Sequence, residues 1–181
     1  FHPVTLESQV SSTDQMQALL DALAELSDTH LIFTMPNADT GGRELTRMVR
    51  EFVDGRDNAS VYTSLGQLRY FSCLAAVDGV IGNSSSGLLE APAFQIGTVN
   101  IGDRQRGRLK ADSVIDCEPS KTAILKAINT LYTPDFKSSL HALSNPYGNG
   151  GASKSIVKIL ADYPLDGLLK KSFYNLPVVG Q

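Results

Sequence analysis

Five short apolar runs, each closed by a polar or glycine-bearing cluster, alternate with amphipathic helical stretches through this chain. LIFTM (31–35) reads as a buried strand ended by Pro36 and Asn37; weaker or shorter strands are expected at 60–62, 78–81, 98–101 and 113–116. Between them the apolar spacing changes from a run to a helical stripe. An S-x-x-Q box at Ser12–Gln15 opens a helix carrying Met16, Leu19, Leu20, Leu23 and Leu26. Further helices are predicted over 43–53, 67–76 and 87–94, and another follows Pro119 with Ile124, Leu125, Ile128 and Leu131 on one face. From Asp135 onward the chain reads as helical, interrupted by SNPYGNGGAS (144–153).

Apolar strands too uniform to have a wet face, separated by helices, predict parallel βαβ units covered on both sides. The fold class is therefore α/β, with a Rossmann-like, doubly wound parallel sheet. In such sheets ligands bind outside the carboxyl ends of the strands. Every polar cluster falls at such an end: His2-Pro3, Pro36-Asn37, Gly82 to Ser86 and Gly102 to Arg108. FHPVT itself resembles the last residue of a strand and the loop after it, so the strand is expected to lie upstream of residue 1.

Composition narrows the chemistry. A net charge of −3 argues against bulk attraction to nucleic acid or an anionic membrane, so an anion must be captured locally. Cys73 and Cys117 fit no metal spacing and read as reduced core residues. No apolar run reaches transmembrane length and no signal peptide is visible, which makes the cytoplasm the expected location.

The stretch GNSSSGLLE (82–90) admits three chemistries. A nucleophile elbow needs glycine two places on either side of its serine; Ser84 lacks the second and Ser85 the first. A phosphate cradle fits better. A strand running through Gly-Asn-Ser-Ser-Ser-Gly into a helix presents free backbone N–H groups, and Ser84 and Ser85 add hydroxyl donors. Glu90 falls roughly 7 Å further along a helix axis, where a carboxylate can accept both hydroxyls of a ribose. Arg104, from the loop after the next strand, can meet phosphate oxygens with its planar fork. An ordinary serine cap, a solvated glutamate and a basic surface loop account for the same residues.

HPVTLE at the start, PNADTGGRE (36–44), IGNSSSGLLEAPAFQIGTVNIGDRQRGR (81–108) and NPYGNGGAS (145–153) resemble, in order and spacing, the C-terminal half of hydrolysing UDP-N-acetylglucosamine 2-epimerases. The likeness continues through KKSFYNLP (170–177) and suggests the subgroup serving sialic acid and related nonulosonates. It implies a two-domain GT-B-type enzyme of which residues 1–181 are the C-terminal, UDP-binding domain, the N-terminal catalytic domain being absent. The implied reaction removes UDP from the sugar to leave a 2-acetamidoglucal, then hydrates it to N-acetylmannosamine, with neither metal nor other cofactor. By the same resemblance, His2 contacts the diphosphate and supports turnover, Asn37 lies near the nucleotide, and the backbone around Leu65 reads the uracil edge. Ser84 and Ser85 hold phosphate, Glu90 the ribose, and Arg104 further nucleotide atoms.

The implied partners are the UDP-sugar or UDP, the N-terminal domain of the same enzyme and a second subunit in a homodimer. Asn149 departs from the family pattern, standing where relatives often carry an acid, and its loop reads as a turn near a domain hinge. Asp39 and Arg43 are cleft candidates that helix capping and solvation explain equally well. Two other readings share the fold: the donor-binding domain of a GT-B glycosyltransferase, and a non-catalytic nucleotide-sugar-binding module. Neither choice of sugar nor allosteric control is legible in this half.

Overall fold

The structure, a computed structural model, describes residues 1–3, 11–36, 41–170 and 173–174. Asn37 and Asp39 lie outside the described residues. Two compact units are present, residues 1–148 and residues 149–181.

In the first unit, α1 (Ser12–Leu23) leads into β1 (Leu31–Thr34), α2 (Gly42–Val53), β2 (Ala59–Tyr62) and α3 (Gly66–Leu74). Then come β3 (Gly79–Gly82), α4 (Ser86–Leu89), a 3-10 turn (Ala91–Phe94), β4 (Gly97–Ile101) and β5 (Val114–Cys117). It closes with α5 (Lys121–Leu131), α6 (Pro134–Ser139) and a 3-10 turn at Leu140–Ala142. The second unit holds α7 (Ala152–Asp162). All five predicted strands are present within one or two residues of their expected bounds.

The strands form two parallel sheets, β1-β2 and β3-β4-β5. Leu31 pairs with Ala59 and Thr34 with Tyr62 in one; Gly82 pairs with Asn100 and Asn100 with Asp116 in the other. β4 is the middle strand and is buried along its whole length. Its alternate residues face different layers. Val99 and Ile101 join the apolar core with Ile124, Ile128 and Leu131 of α5, while Thr98 turns toward α4. Helices on both faces make this sheet doubly wound, as the alternation of strands and helices implies. α1 completes the core by packing on α2 and α5 through Met16, Leu19, Leu20 and Leu23.

Local chemistry sets the helix ends. Ser11, not Ser12, caps α1: its hydroxyl accepts the Asp14 N–H at 3.1 Å and donates to the Asp14 carboxylate at 2.7 Å. Asp14, rather than Gln15, stands three residues after the cap and accepts from its hydroxyl, while Gln15 is fully buried. Ser120 caps α5 and Thr133 caps α6, with Pro134 at the first helical position.

The helix expected over 87–94 is broken. α4 ends at Leu89, and Glu90, with φ −100° and ψ −46°, joins it to the 3-10 turn containing Pro92. Proline lacks the N–H a continuing α-helix would use, and its ring crowds the preceding turn. α4 also lies close against β4. The Thr98 hydroxyl donates to the Gly87 carbonyl at 2.9 Å, and a Cβ at Gly87 would stand 2.5 Å from Thr98 Cγ2.

Ile124 is wholly enclosed, so Ile124→Ala should lower the unfolding free energy in urea by about 2–5 kcal/mol. Gly87→Ala should cost about 1–3 kcal/mol by overpacking. Thr98→Ser, which removes Cγ2 and keeps the hydroxyl, should restore part of that loss when combined with it.

Candidate functional site

Parallel pairing brings the carboxyl ends of β3, β4 and β5 side by side, so the loops after β3 and β4 emerge at one edge. Their meeting point is Asn83. The residue is fully buried, and all the polar atoms of its side chain and its carbonyl are used. Its side-chain oxygen accepts the His2 N–H at 2.7 Å, and its side-chain nitrogen donates to the His2 carbonyl at 2.9 Å. Its own carbonyl accepts Arg104 Nη1 at 3.0 Å and Gln105 Nε2 at 2.8 Å. One asparagine therefore ties the residue 1–3 segment, the serine loop and the arginine loop together.

The three serines beyond it differ. Ser84 Oγ accepts the Ser86 N–H at 3.3 Å. Ser86 Oγ is hydrogen-bonded to the Tyr70 hydroxyl. Among the described residues the Ser85 hydroxyl and the Ser84 and Ser85 N–H groups make no hydrogen bond. Two backbone donors and a hydroxyl are thus unspent beside Arg104, whose guanidinium uses only Nη1 within the described residues. Such a guanidinium carries five N–H donors. This arrangement suits a multiply charged anion, through N–H groups and a fixed cation rather than a long helix dipole, since α4 has only four residues.

Glu90 stands at the junction of α4 and the 3-10 turn, half-buried, with Oε2 shielded from solvent and, among the described residues, without a hydrogen-bond partner. A buried carboxylate oxygen left unpaired is costly and calls for a donor. Burial raises the Tyr70 phenol above its ordinary pKa, and the nearby Glu90 carboxylate adds to the rise.

The structure brings His2, Ser84 and Arg104 together at Asn83 and sets Ser85 and Glu90 on the same short segment. Leu65 is half-buried at the start of α3, after β2, and α3 reaches the serine segment through Tyr70. Among the described residues no cluster of three or more His, Cys, Asp or Glu side chains is placed to hold a metal. No described helix is long and apolar enough to cross a membrane.

Sequence reasoning missed Asn83, Gln105, Tyr70 and Ser86. A signal for Asn83 existed. An amide side chain directly after a half-buried strand, ahead of three serines, must find partners for both an acceptor and a donor. Nothing local marked Tyr70, which reaches Ser86 across 16 residues. Gln105 lies between two arginines and gave no sign of its burial.

Comparison with known proteins gives this geometry a context. The family model described as UDP-N-acetylglucosamine 2-epimerase matches residues 1–161. Polysialic acid biosynthesis protein P7 of Escherichia coli is 39% identical over 180 residues, covering 98% of this chain and 45% of its own length. UDP-N,N'-diacetylbacillosamine 2-epimerase (hydrolyzing) of Legionella pneumophila is 35% identical over 166 residues, covering 91% of this chain and 42% of its own. This chain thus spans somewhat under half the length of these relatives.

Among solved structures, the S. aureus MnaA-UDP complex superposes with a TM-score of 0.67 at 18% identity, covering 90% of this chain and 43% of that one. Neisseria meningitidis UDP-GlcNAc 2-epimerase bound to UDP-GlcNAc gives 0.62 at 15% identity, covering 83% and 41%. At such identities the likeness speaks for the fold. The match of the family model over residues 1–161 settles the wider question: the chain belongs to the UDP-N-acetylglucosamine 2-epimerase family.

Proposed function

We propose that this chain is the UDP-binding half of a hydrolysing 2-epimerase acting on UDP-N-acetylglucosamine or a related UDP-2-acetamido sugar. The observation that carries the reading is the pairing of unspent donors with an unspent acceptor on one segment. Ser84 and Ser85 offer N–H groups beside Arg104, and Glu90 offers a shielded carboxylate oxygen lacking a donor. A nucleoside diphosphate carries the complement of both: anionic oxygens at one end, vicinal hydroxyls at the other.

In this reading Ser84, Ser85 and Arg104 hold the diphosphate, and His2 approaches it from the segment pinned to Asn83. Glu90 accepts the ribose hydroxyls. The backbone at Leu65 reads the uracil edge, and Asn37 lines the nucleotide side of the cleft. The reaction begins when a base takes the C2 proton of the sugar. The C1–O bond then breaks with its electron pair leaving on UDP, giving a 2-acetamidoglucal. Water adds hydroxyl to C1 and returns a proton to C2 on the opposite face, giving N-acetylmannosamine. Preorganised N–H groups and a guanidinium stabilise the departing diphosphate. The acid-base carboxylates come from the other half of the enzyme.

The whole protein works as a homodimer in the cytoplasm, where the free thiols of Cys73 and Cys117 remain reduced.

Calorimetric titration tests the assignment. The chain should bind UDP and prefer it to ADP. Glu90→Ala and Arg104→Ala should each weaken UDP by about tenfold to a hundredfold, the usual loss for hydrogen bonds to a charged group. A folded chain that ignores UDP, or takes ADP equally well, overturns the reading. In the whole enzyme, release of free N-acetylmannosamine with UDP separates an epimerase from a glycosyltransferase, which would instead extend an acceptor.

A further inference from the structure

Tyr70 lies outside the set of residues given a ligand above, yet its position bears on them. It sits on the half-buried side of α3, whose first turn begins beside Leu65. Its hydroxyl is hydrogen-bonded to Ser86 Oγ at the first residue of α4. The next residue, Phe71, meets Phe94 of the following 3-10 turn with ring centroids 5.8 Å apart. Glu90 lies between these two contacts in the chain, and its N–H donates to the Ser86 carbonyl at 2.9 Å. α3 therefore grips the short segment on both sides of Glu90, with a polar contact before it and an aromatic one after it. α4 holds Glu90 by that one terminal bond of its ladder, and the α-helical bonding stops at this residue.

We propose that Tyr70 is a positioning residue of the nucleoside site: through Ser86 it sets where the Glu90 carboxylate stands relative to the first turn of α3, and so which sugar hydroxyls it can reach. The inference rests on the nucleotide reading given above. It also divides the serines. Ser86 serves the framework and leaves Ser84 and Ser85 to the anion.

The ring alone fills the space; the hydroxyl alone makes the bond. Tyr70→Phe and Ser86→Ala each remove one oxygen and keep the packing nearly unchanged. UDP and 2'-deoxy-UDP titrated into the chain and its variants provide the test, because their ratio reports the ribose contact and a general loosening of the fold leaves that ratio alone. Tyr70→Phe should weaken UDP about fivefold, and 2'-deoxy-UDP, which keeps one of the two hydroxyls, by clearly less. Ser86→Ala should do the same, and the double variant should be no worse than the poorer single one. If Tyr70→Phe binds both nucleotides as the parent does, or weakens both in equal proportion, the positioning role is wrong. If the folded parent chain binds neither nucleotide, the nucleotide reading fails and takes this inference with it.

Discussion

The candidate site depends on one buried amide. Asn83 presents an acceptor and a donor to the backbone of His2, as a neighbouring strand would, and its carbonyl collects Arg104 and Gln105. The Asn83 amide and carbonyl would be expensive to bury alone, and here each has its partner. The result is a junction between three segments distant in sequence, made by hydrogen bonds to one residue. Its rigidity matters because the residues next to it, Ser84 and Ser85, keep their own N–H groups unspent. A loop can hold donors open only if something else holds the loop.

Much of the architecture was legible from residue patterning. The strand at 97–101 is buried along its length because both faces of β4 are covered, whereas the run at 31–34, which reads as a buried strand, leaves Ile32 and Thr34 exposed. α5 was readable because Ile124, Ile128 and Leu131 recur at the helical period and all are buried. The cap of α1 was displaced by one residue. Two adjacent serines compete there, and Asp14 beside them chooses Ser11 through a contact that spacing rules alone do not weigh. The broken helix at Glu90 was signalled by Pro92, whose effect the apolar periodicity obscured.

The site was legible in part for a different reason. Ser84 and Ser85 could be singled out because unpaired donors at a strand end are a local property of the chain, and Glu90 and Arg104 because their charges follow at fixed offsets, one after the serine loop and one after the next strand. Asn83, Tyr70 and Gln105 could not, since their roles depend on partners brought near only by the packing of β3, β4 and α3. Sequence patterns identify groups that face a ligand more readily than groups that hold those groups in place. Asn37, for its part, lies outside the described residues.

The link from β3 to β4 carries a consequence for how this protein can change. Between Gly82 and Gly97 the chain must cross the sheet, build the serine loop, place Glu90 and return, with Gly87 pressed against Thr98. Insertions in this link would shift the groups proposed to face the nucleotide against the strands, whereas the stretch from Gly102 to Ser113 holds no helix or strand and can take up slack beyond Gln105. Natural or engineered diversification should therefore enter through the arginine loop and leave the serine segment at constant length.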